Sequence, residues 1–83
     1  MKVSELLAKA TPQLVTRAKN LGTIAWVDGY LVVRFRGRDQ LWVYGPDIPE
    51  VEKDKILRVP FPDRQFIQAV KSKYKAYKVP RVA

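Results

Sequence analysis

Two segments with alternating apolar side chains flank the dipeptide Asp28-Gly29. Both central positions of a two-residue hairpin turn need a positive φ, and Asp-Gly is one of the sequences that tolerate it. The flanking residues 23–27 and 30–36 are rich in β-branched and aromatic types, which is typical of strands. The dipeptide therefore predicts a β-hairpin, around which any fold of this chain must be built.

The second strand of this hairpin has two faces of different chemistry. Leu31, Val33 and Phe35 alternate along it with Tyr30, Val32, Arg34 and Arg36. Arginine is rarely buried without a partner, so the face without arginine is predicted to pack on the core. The turn places Ile24 and Trp26 of the first strand on that same face.

Residues 40–44 form a third candidate strand, and the length of the preceding turn decides its orientation. A two-residue loop puts Trp42 and Tyr44 on the core face. A three-residue loop puts Leu41 and Val43 in the core and turns the two aromatic rings toward the arginines, as an open stacking platform for bases. The sequence is compatible with both arrangements.

Residues 4–20 are predicted to be helical. Ser4 can cap the first turn, and Thr11 with Pro12 looks like a second helix start, which indicates two short helices or one kinked helix. The apolar residues recur at helical spacing as one stripe, made of Leu6, Leu7, Ala10, Leu14, Val15 and Ala18. Gly22 then favours the end of the helix.

Two further helices are predicted in the second half of the chain. Pro49 can open a short helix, and residues 56–59 either close it or form a fourth short strand before Pro60 and Pro62 stop the element. Residues 63–77 have the clearest helical spacing, with one apolar side made of Phe66, Ile67, Val70 and Tyr74. The opposite side of that helix then carries a row of basic residues, Lys71, Lys75 and Lys78.

These elements predict a single small α+β domain over residues 1–83. A helical N-terminal segment (1–22) precedes a three- to four-stranded antiparallel meander, a C-terminal helix packs on the sheet, and residues 80–83 form a tail. The predicted core contains Leu14, Ile24, Trp26, Leu31, Val33, Phe35, Phe66, Ile67, Val70 and Tyr74. A domain with a core of this size is only marginally stable on its own. Formation of a homodimer through an exposed apolar patch is therefore compatible with the sequence, because it would bury further apolar surface.

The chain contains no cysteine and no histidine, which excludes disulfides, thiolate chemistry, histidine-based catalysis and most transition-metal sites. It also lacks a phosphate-cradling glycine loop and a nucleophilic serine elbow, so we expect a non-enzymatic protein without a cofactor. No apolar run approaches the roughly 18 residues of a transmembrane helix, and the N-terminus shows no secretory signal. We therefore expect a cytoplasmic protein that does not insert into membranes.

The charge of the chain points to an anionic partner. The formal net charge is +8, and residues 63–83 contribute five of these charges, from six basic residues and one acidic residue. Nucleic acid is the first expectation for such an excess, and an acidic protein or a membrane surface comes after it.

Three short motifs follow one another in the chain. A hairpin ending in residues 31–37 precedes the aromatic pair of Trp42-Val43-Tyr44 and a turn containing Pro49, and residues 74–78 supply a tyrosine-lysine end. With these motifs, residues 24–79 resemble the KTSC domain, a small α+β module common in phages and bacteria. The resemblance implies a fold and a connection to nucleic acid, and it implies no catalytic residues. The Ala-x-Ser-x-Gly stretch of that family is replaced here by Arg-Val-Pro-Phe-Pro at residues 58–62.

The function expected from the sequence is sequence-tolerant binding of DNA or RNA through a basic surface. The expected contact residues are Lys71, Lys75 and Lys78 on the terminal helix, supported by Lys73 and Arg81, with Arg34 and Arg36 as a second strip and Trp42 as a stacking residue. Lysines on phosphates supply affinity and salt dependence, not sequence specificity. The alternative is a small protein-interaction module, such as a phage-type regulator or adaptor, that binds an acidic protein partner.

Overall fold

A five-stranded antiparallel sheet, with its strands in chain order, forms the centre of the fold. The computed structural model describes residues 2–79. The elements are α1 (Val3–Lys9), β1 (Gln13–Leu14), β2 (Leu21–Val27), β3 (Tyr30–Phe35), β4 (Leu41–Gly45), α2 (Glu50–Arg58), α3 (Pro62–Phe66), a π-helical segment (Ile67–Lys71) and β5 (Lys75–Lys78). The α+β class is confirmed, and the sheet has five strands where three or four were expected. Arg81 and the 80–83 tail lie outside the described residues.

The central hairpin forms as predicted. Asp28 has a φ of 48° and Gly29 a φ of 89°, as a turn with two left-handed central residues requires. Trp26 pairs with Leu31, and Ile24 pairs with Val33. The hairpin therefore sets the register from which the rest of the sheet extends.

Both faces of the sheet are packed. One face, hereafter the helical face, lies under α2 and α3 and buries Ile24, Leu31, Val33, Ile56 and Phe66. The opposite face, hereafter the α1 face, buries Leu6 of α1 among Ala25, Val27, Val32 and Val43. The expectation of one core face was thus incomplete, because α1 covers the apolar part of the side that carries Arg34.

The register between β3 and β4 places Trp42 and Tyr44 on the helical face, as the first alternative predicted, although the connection (residues 36–40) is longer than the two-residue loop that it assumed. Leu31 pairs with Tyr44 and Val33 with Trp42, and paired residues project from the same face. Tyr44 is buried at 4% exposure. Trp42 is only half-buried.

The N-terminal segment departs from the predicted helix over residues 4–20. Helix α1 ends at Lys9, and residues 13–14 pair with β2. Pro12 disfavours the α conformation at the residue before it, which accounts for the extended chain where a second helix was expected. The predicted stripe is divided as a result: Leu6 packs on the α1 face, Val15 packs on the helical face, and Leu14 is 61% exposed.

The predicted C-terminal helix over residues 63–77 also ends early. Helical structure stops at Lys71, and β5 then pairs with β4 at the edge of the sheet. Without β5 the backbone N–H and C=O groups of β4 would be unpaired along this edge, so strand pairing outweighs local helical spacing. Ile67, predicted as core, is therefore 50% exposed. Residues 56–59 close helix α2 and do not form a strand.

None of the helices within residues 2–79 has the length and apolar character needed to cross a bilayer.

The packing of α1 can be tested with a matched pair of leucines. Leu6 is 2% exposed and Leu14 is 61% exposed. We expect Leu6→Ala to lower the free energy of unfolding by about 2–5 kcal/mol and Leu14→Ala by less than about 0.5 kcal/mol, both measured by urea denaturation. Equal losses would contradict the placement of α1 on the sheet.

Candidate functional site

The segment of residues 15–21 lies over one end of the sheet and is held there by the Asp63 carboxylate. Oδ2 of Asp63 accepts hydrogen bonds from the backbone N–H groups of Lys19 (2.8 Å) and Asn20 (3.2 Å), and Oδ1 of Asp63 accepts one from the backbone N–H of Leu21 (3.0 Å). Asp63 lies in the first turn of α3, so these hydrogen bonds join α3 to the entry of β2, more than 40 residues away in the chain.

Arg36 holds the same segment through its carbonyl groups. The guanidinium donates to the carbonyl oxygens of Val15 (3.2 Å), Thr16 (3.3 Å) and Leu21 (3.3 Å). The backbone N–H of Arg36 also donates to the Asn20 carbonyl at 2.8 Å. The side chain that was expected to form an open strip with Arg34 is therefore a structural anchor, and its positive charge stays at the surface.

The charge of Asp63 is stabilised by these contacts. Partial burial by itself raises the pKa of this carboxyl, but three backbone N–H donors and the nearby charge of Arg36 outweigh that effect, so the pKa lies below its ordinary value. Asp63 is therefore ionised at neutral pH and remains so under mildly acidic conditions.

A cleft of about 700 Å³ opens between the helical face of the sheet and the helical residues 62–71. We call it the aromatic cleft, because five aromatic side chains line it: Phe35, Trp42, Tyr44, Phe66 and Tyr74. Its volume lies in the range of roughly 300–1,000 Å³ that is typical of small-molecule sites. The segment held by Asp63 and Arg36 supplies its outer wall through Lys19, Asn20 and Leu21.

Phe66 organises the aromatic floor of the cleft. Its ring meets Phe35 edge-to-face at a centroid distance of 6.0 Å and Tyr44 edge-to-face at 5.1 Å. Phe66 and Tyr44 are buried, whereas Phe35, Trp42 and Tyr74 are half-buried. The last three rings therefore offer accessible surface above a rigid layer of aromatic contacts.

The rim of the aromatic cleft is basic. Lys19, Arg36, Arg38 and Lys71 line it, against the single carboxylate of Asp63. Within residues 2–79 the ion pairs are made by other cations, namely Lys9, Lys53 and Lys55. Most of the acidic side chains in these pairs belong to α2, so carboxylates neutralise lysines there and leave a positive potential at the rim.

The same part of the chain, residues 2–79, contains no group of three carboxylates close enough to hold a metal ion.

The structure separates the residues that the sequence analysis grouped as one basic row. Lys71 lines the aromatic cleft with Arg36 and Trp42. Lys78 pairs with Trp42 and so projects from the helical face, whereas Lys75 pairs with Gly45 and projects from the α1 face. Because β5 is a strand and not a helix, these lysines do not share one face.

The remaining predicted contact residues lie elsewhere or outside the described residues. Lys73 is exposed in the turn before β5. Arg34 projects from the α1 face, where its guanidinium donates to the Arg38 carbonyl at 3.3 Å. Arg81 lies beyond residue 79, in the part of the chain that is not described.

Several cleft residues were missed by the sequence analysis as site residues. Lys19 and Asn20 were interpreted as the end of a helix, Phe35 as core, and Arg38 as part of a turn. The feature of the sequence that could have identified Phe35 as a cleft residue is its position at the end of β3. A side chain at the end of a strand is less completely covered by packing elements than one at its centre. No local pattern identifies Lys19, because its place in the wall depends on the distant Asp63.

No known protein-family model matches this chain, and no curated protein matches it.

The link between Asp63 and residues 19–21 can be tested by substitution and by pH. We expect Asp63→Asn to lower the free energy of unfolding at pH 7 by about 1–3 kcal/mol, since charge-assisted hydrogen bonds are weakened. Asp54→Asn is the control, because Asp54 forms a half-exposed ion pair with Lys53. We expect this substitution to lower the free energy of unfolding by less than about 1 kcal/mol.

The pH dependence follows from the lowered pKa of Asp63 in the folded state. The stabilisation is complete above the unfolded pKa of about 4 and is lost as the pH falls through the lower folded pKa. Denaturation curves at pH 7 and pH 3 should therefore show a larger acid-induced loss for the parent than for Asp63→Asn. Equal losses in the two proteins would contradict this role of Asp63.

Proposed function

We propose that this protein is a small, non-enzymatic, cytoplasmic nucleic-acid-binding protein that takes single-stranded DNA or RNA with little sequence preference. The observation that carries the proposal is the aromatic cleft, whose accessible rings lie beside cations that have no ion-pair partner within residues 2–79. The resemblance of residues 24–79 to the KTSC domain is part of the proposal and points in the same direction.

The cleft has the two chemical elements that a nucleotide needs. A base can stack on or insert between the half-buried rings of Phe35, Trp42 and Tyr74, and stacking contributes about 1–3 kcal/mol per base regardless of its identity. The phosphate then lies at the rim, within reach of Lys71 and Arg38. Such contacts neutralise charge without reading base edges, which explains the expected tolerance of sequence.

The shape of the site favours a single strand over a duplex. The rings lie inside a concave space between sheet and helix, and not on an exposed flat face. A base within a duplex reaches such a space only after it leaves the stack, which costs a few kcal/mol. A base of a single strand enters at a much smaller cost.

A protein partner with an acidic surface is the second candidate. The observation that favours it is the set of large apolar side chains exposed outside the cleft, among them Leu14, Val51 and Tyr77. Such residues can anchor a protein interface whose rim is basic. Nucleic acid is preferred because the aromatic cleft combines accessible rings with cations in one place, whereas these exposed residues lie on separate elements.

Fluorescence anisotropy with labelled 12-nucleotide DNA and RNA, each as single strand and duplex, tests the proposal. We expect tighter binding to both single strands than to their duplexes, and a steep loss of affinity between 50 and 200 mM salt, because bound phosphates release counterions. Absence of binding to every probe at low salt would contradict the proposal and favour the protein partner.

Two lysines form a matched pair that locates the interface. Lys71 lines the aromatic cleft and Lys75 projects from the α1 face, and both are exposed. We expect Lys71→Gln to reduce the slope of log affinity against log salt by about 0.7, and Lys75→Gln to leave it unchanged. The opposite pattern, or equal effects, would show that the cleft rim is not the contact surface.

A further inference from the structure

A second concavity adjoins the aromatic cleft and shares part of its wall. It has a volume of about 350 Å³ and is lined by Arg17, Lys19, Phe61, Pro62, Asp63 and Arg64. Lys19 and Asp63 also line the aromatic cleft. The two concavities are therefore neighbours, separated by the point where Asp63 holds the segment of residues 15–21.

Phe61 is the most unusual residue of this second concavity. Its side chain is 72% exposed, the highest value among the exposed large apolar residues within residues 2–79. Pro60 and Pro62 flank it, and a following proline restricts the backbone of the residue before it. The ring is therefore held at the surface by a stiff backbone, which lowers the entropy lost when a ligand packs on it.

Three cations surround this ring. Arg17, Lys19 and Arg64 are all exposed, and none of them forms an ion pair with a carboxylate within residues 2–79. The one carboxylate present, Asp63, uses both oxygens to accept backbone N–H groups, and Arg36 lies near enough to oppose its charge. The concavity thus repeats the chemistry of the aromatic cleft, with an accessible ring beside unpaired cations.

We propose that Phe61 and its three cations form a second nucleotide subsite, which takes the adjoining nucleotide of the strand whose base occupies the aromatic cleft. The linking phosphate passes over Lys19, the cation common to both concavities. This inference rests on the proposed function and deepens it, because it assigns the path of the strand. A nucleic-acid strand alternates bases and phosphates, which matches two accessible rings with a shared cation between them, whereas an acidic peptide has no such alternation.

The test compares a mononucleotide with a tetranucleotide on the same variants. Thymidine 5′-monophosphate and a labelled thymidine tetranucleotide are titrated into the parent, Phe61→Ala and Tyr77→Ala at low salt. Tyr77 is the matched control, since it is an exposed aromatic residue (48%) on the α1 face of edge strand β5. Thermal melting of each variant verifies that it is folded.

We expect Phe61→Ala to weaken binding of the tetranucleotide by about 5- to 150-fold, which is the contribution of one stacked base to affinity. Binding of the mononucleotide should not change, because the aromatic cleft is intact. Tyr77→Ala should leave both affinities unchanged, and Phe61→Trp should retain tetranucleotide binding because a stacking ring is restored.

The outcomes separate this inference from the function on which it rests. If the parent binds the tetranucleotide and Phe61→Ala binds it equally well, the second subsite is wrong and the aromatic cleft stands. If the parent binds no oligonucleotide of any length, both proposals fail. If an oligo-glutamate peptide binds the parent as tightly as the tetranucleotide and loses affinity equally in Phe61→Ala, the surface is an acidic-protein site and the inference is overturned.

Discussion

The Asp63 carboxylate makes the contacts on which the aromatic cleft depends. It accepts three consecutive backbone N–H groups from residues 19–21, while Arg36 binds carbonyl groups of the same segment. Two oppositely charged side chains thus provide hydrogen-bond partners for the backbone N–H and C=O groups of this segment. They also bring α3 against the entry of β2. The outer wall of the aromatic cleft exists only because this segment is held.

The open end of the sheet follows from where the helices stop. Helix α3 and the π-helical segment cover the centre of the helical face, and they end at Lys71. Strand β5 completes the edge with small and basic side chains, since Ala76 and Lys78 lie beside Tyr44 and Trp42. Tyr44 is buried at this edge, whereas the Trp42 ring stays partly accessible. The aromatic cleft arises from incomplete coverage of a core that is otherwise well packed.

The sequence predicted those parts of the fold that local chemistry determines. The Asp28-Gly29 turn and the alternation in β3 were sufficient for the hairpin and its register. The end of the chain was predicted as helix because residues 63–77 have helical spacing. Its conversion to β5 depends on the unpaired edge of β4, which no local pattern reveals. The same applies to residues 13–14, which pair with β2 across the sheet.

The sequence predicted which types of residue the candidate site contains, but not how they are arranged. Trp42, Arg36 and Lys71 were named from charge and aromatic content, and the structure brings these three to one cleft. Their neighbours Lys19 and Phe35 were not named, because contacts distant in sequence bring them there. The prediction that Lys71, Lys75 and Lys78 form one basic row was wrong for the same reason. Their spacing was interpreted as that of a helix, whereas Lys75 and Lys78 lie in strand β5. Composition thus led to the proposed kind of ligand, and the long-range contacts determine where that ligand would bind.

The most direct test of the aromatic cleft as the nucleic-acid site is a ¹⁵N–¹H correlation spectrum of the labelled protein during titration with a short single-stranded oligonucleotide at low salt. The predicted result is a set of concentration-dependent shifts at the backbone amides of residues 19–21, 35–38 and 71–76 and at the Trp42 indole, with helix α2 unaffected. The Trp26 indole N–H, which donates to the Ile48 carbonyl at 2.7 Å, serves as an internal reference that should not move. Shifts confined to α2 or to the α1 face would contradict a nucleic-acid site in the cleft.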